Sequence, residues 1–123
     1  MRTKTRVMIV DDHVLVAKAL SDLIAEQSDM TVVGVAHSVA QSVELAAEIS
    51  PDVVLMDFRL PDGTGDEACA SIREMRPLTR LIIVTRDDST DVRRAAAEAG
   101  ASAFIHKSRA ATDLVGAIRR VAA

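Results

Sequence analysis

Short runs of β-branched and aliphatic residues recur through this chain, each followed by a segment with helical spacing, and that alternation leaves very few folds open. RVMIV (6–10), TVVGVA (31–36), DVVLMD (52–57), RLIIVT (80–85) and SAFIH (102–106) read as five strands. Most lack polar alternation, which predicts strands covered on both faces. Val16, Leu20, Leu23 and Ile24 mark the first helical segment. The second opens on Ser38 and Gln41 as a capping-box pair, with Val43, Ala47 and Leu45 or Ile49 inward. Ala68, Ile72 and Met75 mark the third, Val92, Ala95, Ala96 and Ala99 the fourth, and Leu114, Ile118 and Val121 the fifth. Strict alternation with short joints predicts an α/β fold, because right-handed crossovers place helices on both faces of a parallel sheet. Five such units make a flavodoxin-like, doubly wound (βα)5 arrangement with a five-stranded parallel sheet in the order 2-1-3-4-5.

At 123 residues the chain is expected to form one domain over 1–123, with no second domain, linker or repeat. Phe58 and Phe104 are its only aromatic residues and the formal net charge is -3. Stacking on bases and wholesale attraction to a phosphate backbone are therefore poor fits, and any control of DNA is expected to run through another segment or partner. Cys69 stands alone, which excludes an internal disulfide and reads as a small buried helix residue. The basic start, MRTKTRVMIV, breaks at Asp11 before it is long enough for a signal peptide, and no apolar stretch approaches membrane-spanning length. A cytoplasmic protein with no membrane partner is the expectation.

In sheets of this type ligands bind beyond the carboxyl ends of the strands. Strand one ends in Asp11 and Asp12, strand three in Asp57, strand four in Thr85, and strand five in Lys107. Three carboxylates gathered there repel one another unless a cation sits among them, and oxygen-only donors favour Mg²⁺ or Mn²⁺. A metal alone leaves the lysine and the threonine without a task. A carboxylate can also act as a nucleophile toward phosphorus, and phosphoryl transfer then asks for neutralisation of the equatorial oxygens. Metal, Lys107 and the Thr85 hydroxyl supply that.

IVDDH (9–13), VVLMDFRLPDGTG (53–65), LIIVT (81–85) and GASAFIHK (100–107) together resemble the receiver domain of two-component response regulators, in the family's order and across the whole chain. The resemblance implies that Asp57 is the phosphoacceptor, served by the phosphohistidine of a sensor histidine kinase or by a small donor such as acetyl phosphate. It implies that Asp12 binds Mg²⁺ directly, Asp11 mostly through water, and the Arg59 backbone carbonyl with them. Lys107 matches the lysine that pairs with Asp57 and then with the phosphoryl group. Thr85 and Phe104 match the switch pair through which the face of helix 4, strand 5 and helix 5 is remodelled. DDHVLVAKAL is similar to receivers that precede a LuxR/NarL-type helix-turn-helix domain, which implies transcriptional output through a C-terminal DNA-binding domain. It also implies a homodimer that depends on phosphorylation. A stand-alone receiver acting by protein contact is the alternative.

Several positions depart from the family's commonest pattern. Arg86 replaces the usual small residue after Thr85, and Arg59 and Asp87 lie where they are able to pair across the opening, which leads us to expect slow loss of the phosphoryl group. Ser108 replaces the proline that often follows the lysine, so the isomer of that peptide is open. His13 reads as a surface or capping residue and His106 as a strand-end residue. Arg93, Arg94, Arg119 and Arg120 read as solvated helix surface available to partners. Two other functions compete. A haloacid dehalogenase-type phosphatase needs an acid two positions after its nucleophile, where this chain has Arg59. A nucleotide- or flavin-binding module needs a Gly-rich loop after strand one, where this chain has carboxylates.

Overall fold

The computed structural model describes residues 4–123, so the first three residues of the basic start lie outside it. The strands are β1 (Thr5–Val10), β2 (Met30–Ala36), β3 (Val53–Met56), β4 (Arg80–Thr85) and β5 (Ala103–His106). The helices are α1 (Val14–Ala25), α2 (Val39–Ile49), α3 (Gly65–Met75), α4 (Thr90–Glu98) and α5 (Ala110–Ala122). The five strands form one parallel sheet in the order β2-β1-β3-β4-β5, as the alternation predicts.

Alternate residues of each strand feed opposite faces of the sheet. Val7, Ile9, Val53, Leu55, Ile82, Val84 and Ile105 face α1 and α5, meeting Leu20, Ile24, Leu114 and Ile118. Met8, Val10, Val54, Met56, Leu81 and Ile83 face the other way, against Ala46 of α2, Ala68, Cys69 and Ile72 of α3, and Val92 and Ala96 of α4. Ile24, Leu114 and Ile118 are completely buried, each worth about 1.5–3 kcal/mol of hydrophobic stabilisation.

Three expectations change. Unlike the central strands, β2 is buried only at its ends, because it is an edge strand, and a bulge opposes Met8 to Gly34 directly after the Val7–Val32 pair. In α2 the expected Val43, Leu45 and Ile49 do pack against the core, but from partly buried positions, and the fully buried residues are Ser42 and Ala46, the Ser42 hydroxyl donating to the Val39 carbonyl at 2.7 Å. Met75, expected inside, is exposed at the end of α3. One element escapes the periodicity altogether, a small antiparallel pairing of Arg59–Leu60 with Gly63–Thr64 between β3 and α3. Among the described residues, no helix is long and apolar enough to cross a membrane.

Candidate functional site

Asp11 and Asp57 are each tied by their backbone to the neighbouring strand. The Asp11 N–H donates to the Ala36 carbonyl at the end of β2, and the His37 ring donates to the Asp11 carbonyl at 2.8 Å. One strand over, the Asp57 N–H donates to the Val10 carbonyl at 2.9 Å, so the ends of β1, β2 and β3 are tied together. Donor atoms of Asp11, Asp12, His13 and Asp57 all lie within 4.8 Å of one another. Lys107 reaches them from the end of β5. Its Nζ stands 2.8 Å from Asp11 Oδ2 and 2.9 Å from Asp57 Oδ2, while Asp57 Oδ1 accepts from the Phe58 N–H at 2.8 Å.

Burial works against the charge on Lys107, but hydrogen bonds to Asp11 and Asp57 outweigh it and raise the pKa above the ordinary 10.5. The ammonium is therefore charged across the neutral range. One ammonium still faces three carboxylates. Asp12 Oδ1 is buried and makes no hydrogen bond, although His13 Nδ1 lies 3.2 Å away at an ion-pair distance. Surplus negative charge, hard oxygen donors and an orphaned carboxylate oxygen are what a divalent cation of the Mg²⁺ or Mn²⁺ kind would satisfy.

A cleft of about 160 Å³ opens over this cluster, lined by Asp57, Lys107, Thr85, Arg59, Arg86 and Asp87, with His13 at its rim. Thr85 is buried, and its hydroxyl accepts one long bond from the Asp87 N–H at 3.4 Å. Arg59 and Asp87 do pair across the opening, at 2.7 Å, with the guanidinium also 5.1 Å from the Phe58 ring. The bond from Arg59 holds the Asp87 carboxyl below the usual carboxylate range, helped by the Ser89 N–H. That pair is present above pH 3.8 and lost only as the pH falls through the lowered value, so it spans the cleft throughout the neutral range.

Phe104 is half-buried, and the Arg93 guanidinium covers its ring at 4.5 Å while Arg93 Nε donates to the Asp88 carbonyl. Arg93 is exposed helix surface, as expected, and this contact adds to that reading a partner within the chain. Arg is the side chain that stacks on rings, and Phe104 is one of two rings in the chain, so the pairing was open to inference. Arg119 is likewise not free, because it pairs with Asp29 at 2.9 Å. His106 Nδ1 accepts from the Ser108 N–H at 3.1 Å and so braces the turn Lys107–Arg109. The peptide after Lys107 is trans, like every other among the described residues. Asp62, which the sequence marks only as a turn residue, accepts from the Val39 and Ala40 N–H groups and caps α2 from across the loop. Those bonds lower its pKa. Cys69 is buried and its thiol is pushed up to about 12, so it is inert.

The profile of the response regulator receiver domain family matches residues 7–119. The chain is 36% identical over 118 residues to the DNA-binding transcriptional activator DevR/DosR of Mycobacterium tuberculosis, covering 96% of this chain and 54% of that protein. It is 32% identical over 115 residues to the response regulator protein VraR of Staphylococcus saprophyticus, covering 94% and 55%. The chain thus spans about half the length of these relatives. Among solved structures it is similar to a LuxR-family two-component response regulator from Aurantimonas sp. SI85-9A1, with a TM-score of 0.92 and 34% identity over 98% of this chain and 86% of that one. The response regulator domain of Thermotoga maritima CheB gives 0.89 and 32%, covering 98% and 97%.

Proposed function

The chain belongs to the response regulator receiver domains, and from that premise we propose that Asp57 is the residue that accepts the phosphoryl group. The donor is the phosphohistidine of a sensor histidine kinase, or a small phosphodonor. A carboxylate oxygen of Asp57 attacks phosphorus while the P–N bond to the donor imidazole breaks, and the leaving imidazole keeps the electron pair. Asp12, Asp57 and the Arg59 carbonyl, with Asp11 mostly through water, would hold Mg²⁺, which when bound would neutralise charge on the transferring group. Lys107 meets another phosphoryl oxygen, and the Thr85 hydroxyl turns from its long bond toward a third.

The observation that carries this reading is the double contact of Lys107 with Asp11 and Asp57. A cation held at the nucleophile and at the neighbouring acid is already placed for the charge that arrives. Val14 and Leu15, 69% and 81% exposed at the start of α1 beside the acidic pair, offer apolar surface that suits a protein donor. The chain transfers a phosphoryl group only to itself and slowly hydrolyses it. Phe104 follows Thr85 inward, which alters the face of α4, β5 and α5, promotes a homodimer, and directs transcription through a helix-turn-helix domain on further sequence. The chain's similarity to DevR/DosR, a DNA-binding transcriptional activator, supports that output. We take residues 1–123 as one receiver domain.

Intact mass after incubation with Mg²⁺ and acetyl phosphate tests the centre of the proposal. Wild type is expected to gain one phosphoryl group and Asp57→Asn none. No adduct on wild type, or an adduct that persists in the variant, removes it. The flanks give a second expectation. Arg86 is exposed at the mouth of the cleft, beside the Arg59–Asp87 pair, and together they narrow the path of attacking water. Arg86→Ala is expected to speed dephosphorylation on the order of threefold, under 1 kcal/mol of barrier. Equal rates for the two proteins would show that the arginine simply points to solvent.

A further inference from the structure

We propose that His13 is a nitrogen ligand to the divalent cation of the acidic cluster, biasing the site toward borderline d-block ions such as Mn²⁺ over Mg²⁺. This rests on the metal-site reading above and extends it, since that reading uses oxygen donors alone. The His13 side chain is 55% exposed, so nothing forces its ring inward. Even so, Nδ1 stands 3.2 Å from Asp11 Oδ1 and 3.2 Å from Asp12 Oδ1. The backbone N–H of the same residue donates to Asp11 Oδ1 at 2.9 Å and anchors the base of the side chain.

Apart from the bond between Nδ1 and Asp11 Oδ1, the start of α1 makes no use of the ring. His13 occupies the N-cap position through its backbone, but its side chain makes no capping bond. The other two imidazoles are engaged elsewhere, His37 Nδ1 with the Asp11 carbonyl and His106 Nδ1 with Ser108. Donors on adjacent corners of an octahedron with bonds of about 2.1 Å lie about 3 Å apart, so the observed separations suit ligands of one shared ion. Ligation uses the tautomer with its proton on Nε2, the Nδ1 lone pair replacing the present bond to Asp11. Mg²⁺ prefers oxygen and water, whereas Mn²⁺, Co²⁺ and Ni²⁺ accept imidazole with rising affinity.

The test is binding of Mn²⁺ to the full chain, followed by electron paramagnetic resonance with Mg²⁺ as competitor, for wild type and His13→Gln. The substitution is expected to weaken Mn²⁺ about tenfold while changing Mg²⁺ less than about twofold. A nitrogen-14 modulation in the electron spin echo of bound Mn²⁺ is expected in wild type and lost in the variant. Equal losses for both ions, no loss, or a nitrogen signal that survives the substitution overturns the proposal. Binding that requires Asp12, as read from Asp12→Asn, but ignores His13 overturns this proposal alone. If wild type binds no Mn²⁺, or if Asp12→Asn binds as wild type does, the metal-site reading falls and the proposal with it.

Discussion

Gly65→Ala is expected to cost about 3 kcal/mol of stability, lowering the melting temperature by about 12 °C in a domain of this size. A Cβ at Gly65 would overlap the Asp57 carbonyl oxygen and come within 3.0 Å of the Phe58 Cα. Both obstacles are backbone, so no side chain can swing away to make room. The Gly65 N–H also donates to the Phe58 carbonyl at 2.6 Å, which pins the start of α3 against the segment it would have to leave. Gly100 makes an instructive contrast. The atoms nearest to its Cβ would all belong to the flexible Arg73 side chain, and the demand there is its φ of +90°. Because the overlap at Gly65 falls on the residue proposed to be phosphorylated, the folded fraction of the variant should also accept phosphate more slowly. Urea denaturation within about 1 kcal/mol of wild type would show that the loop shifts at little cost.

Lys107→Ala has the second large expected effect, and it is electrostatic. Asp11 and Asp57 have side chains only 1% and 5% exposed, and the substitution leaves both without their cation. Breaking a buried pair from one side costs about 3 kcal/mol, mostly as the penalty on the charges left behind. With a chelator present, the variant is expected to lose about that much in urea denaturation. A divalent cation should stabilise the variant more than it stabilises wild type, since it then enters a cluster with no ammonium to offset the carboxylates. Phosphorylation by acetyl phosphate should slow on the order of a hundredfold through loss of a preorganised donor. The pH dependence has a definite sign. The Lys107 pKa is raised, so its stabilisation is complete below the ordinary 10.5 and lost only as the pH rises through the raised value. Wild type and variant should therefore differ equally at pH 7 and pH 9. A gap that closes by pH 9 would mean that the ion pair is weaker than its geometry implies.

The fold was legible because each strand carries its own signal. VVLM is apolar throughout, as suits a strand buried on both faces, and the residues after each run fall at the carboxyl edge without further assumptions. The placement of Asp11, Asp12, Asp57, Thr85 and Lys107 follows from topology alone. Contacts made by long side chains between distant loops were less accessible. Nothing local to Asp62 announces that it caps α2, because its partners lie 22 and 23 residues earlier. Arg59 and Asp87 were foreseen as a pair, since both sit two positions past a strand-end residue. Arg93 and Phe104 are not joined by the sequence, which says on which element each lies but not how a helix is turned. His13 shows the same limit at short range. Its position marks a helix start, and only the side-chain rotamer decides whether the ring faces solvent or the acids behind it.

The sheet also behaves as a bulkhead. Ala103 and Ile105 press toward α1 and α5, while Phe104, between them, belongs to the compartment of α2, α3 and α4. The two compartments share the strands' backbones and no common apolar filling. A ring that moves on one side displaces its neighbours there, and the opposite layer meets only a stiff hydrogen-bonded wall. Under the proposed switch α1 lies on the sheltered side and can keep its contour toward whatever docks on it, while α5, beside the edge strand β5, shares in the change of the α4, β5 and α5 face.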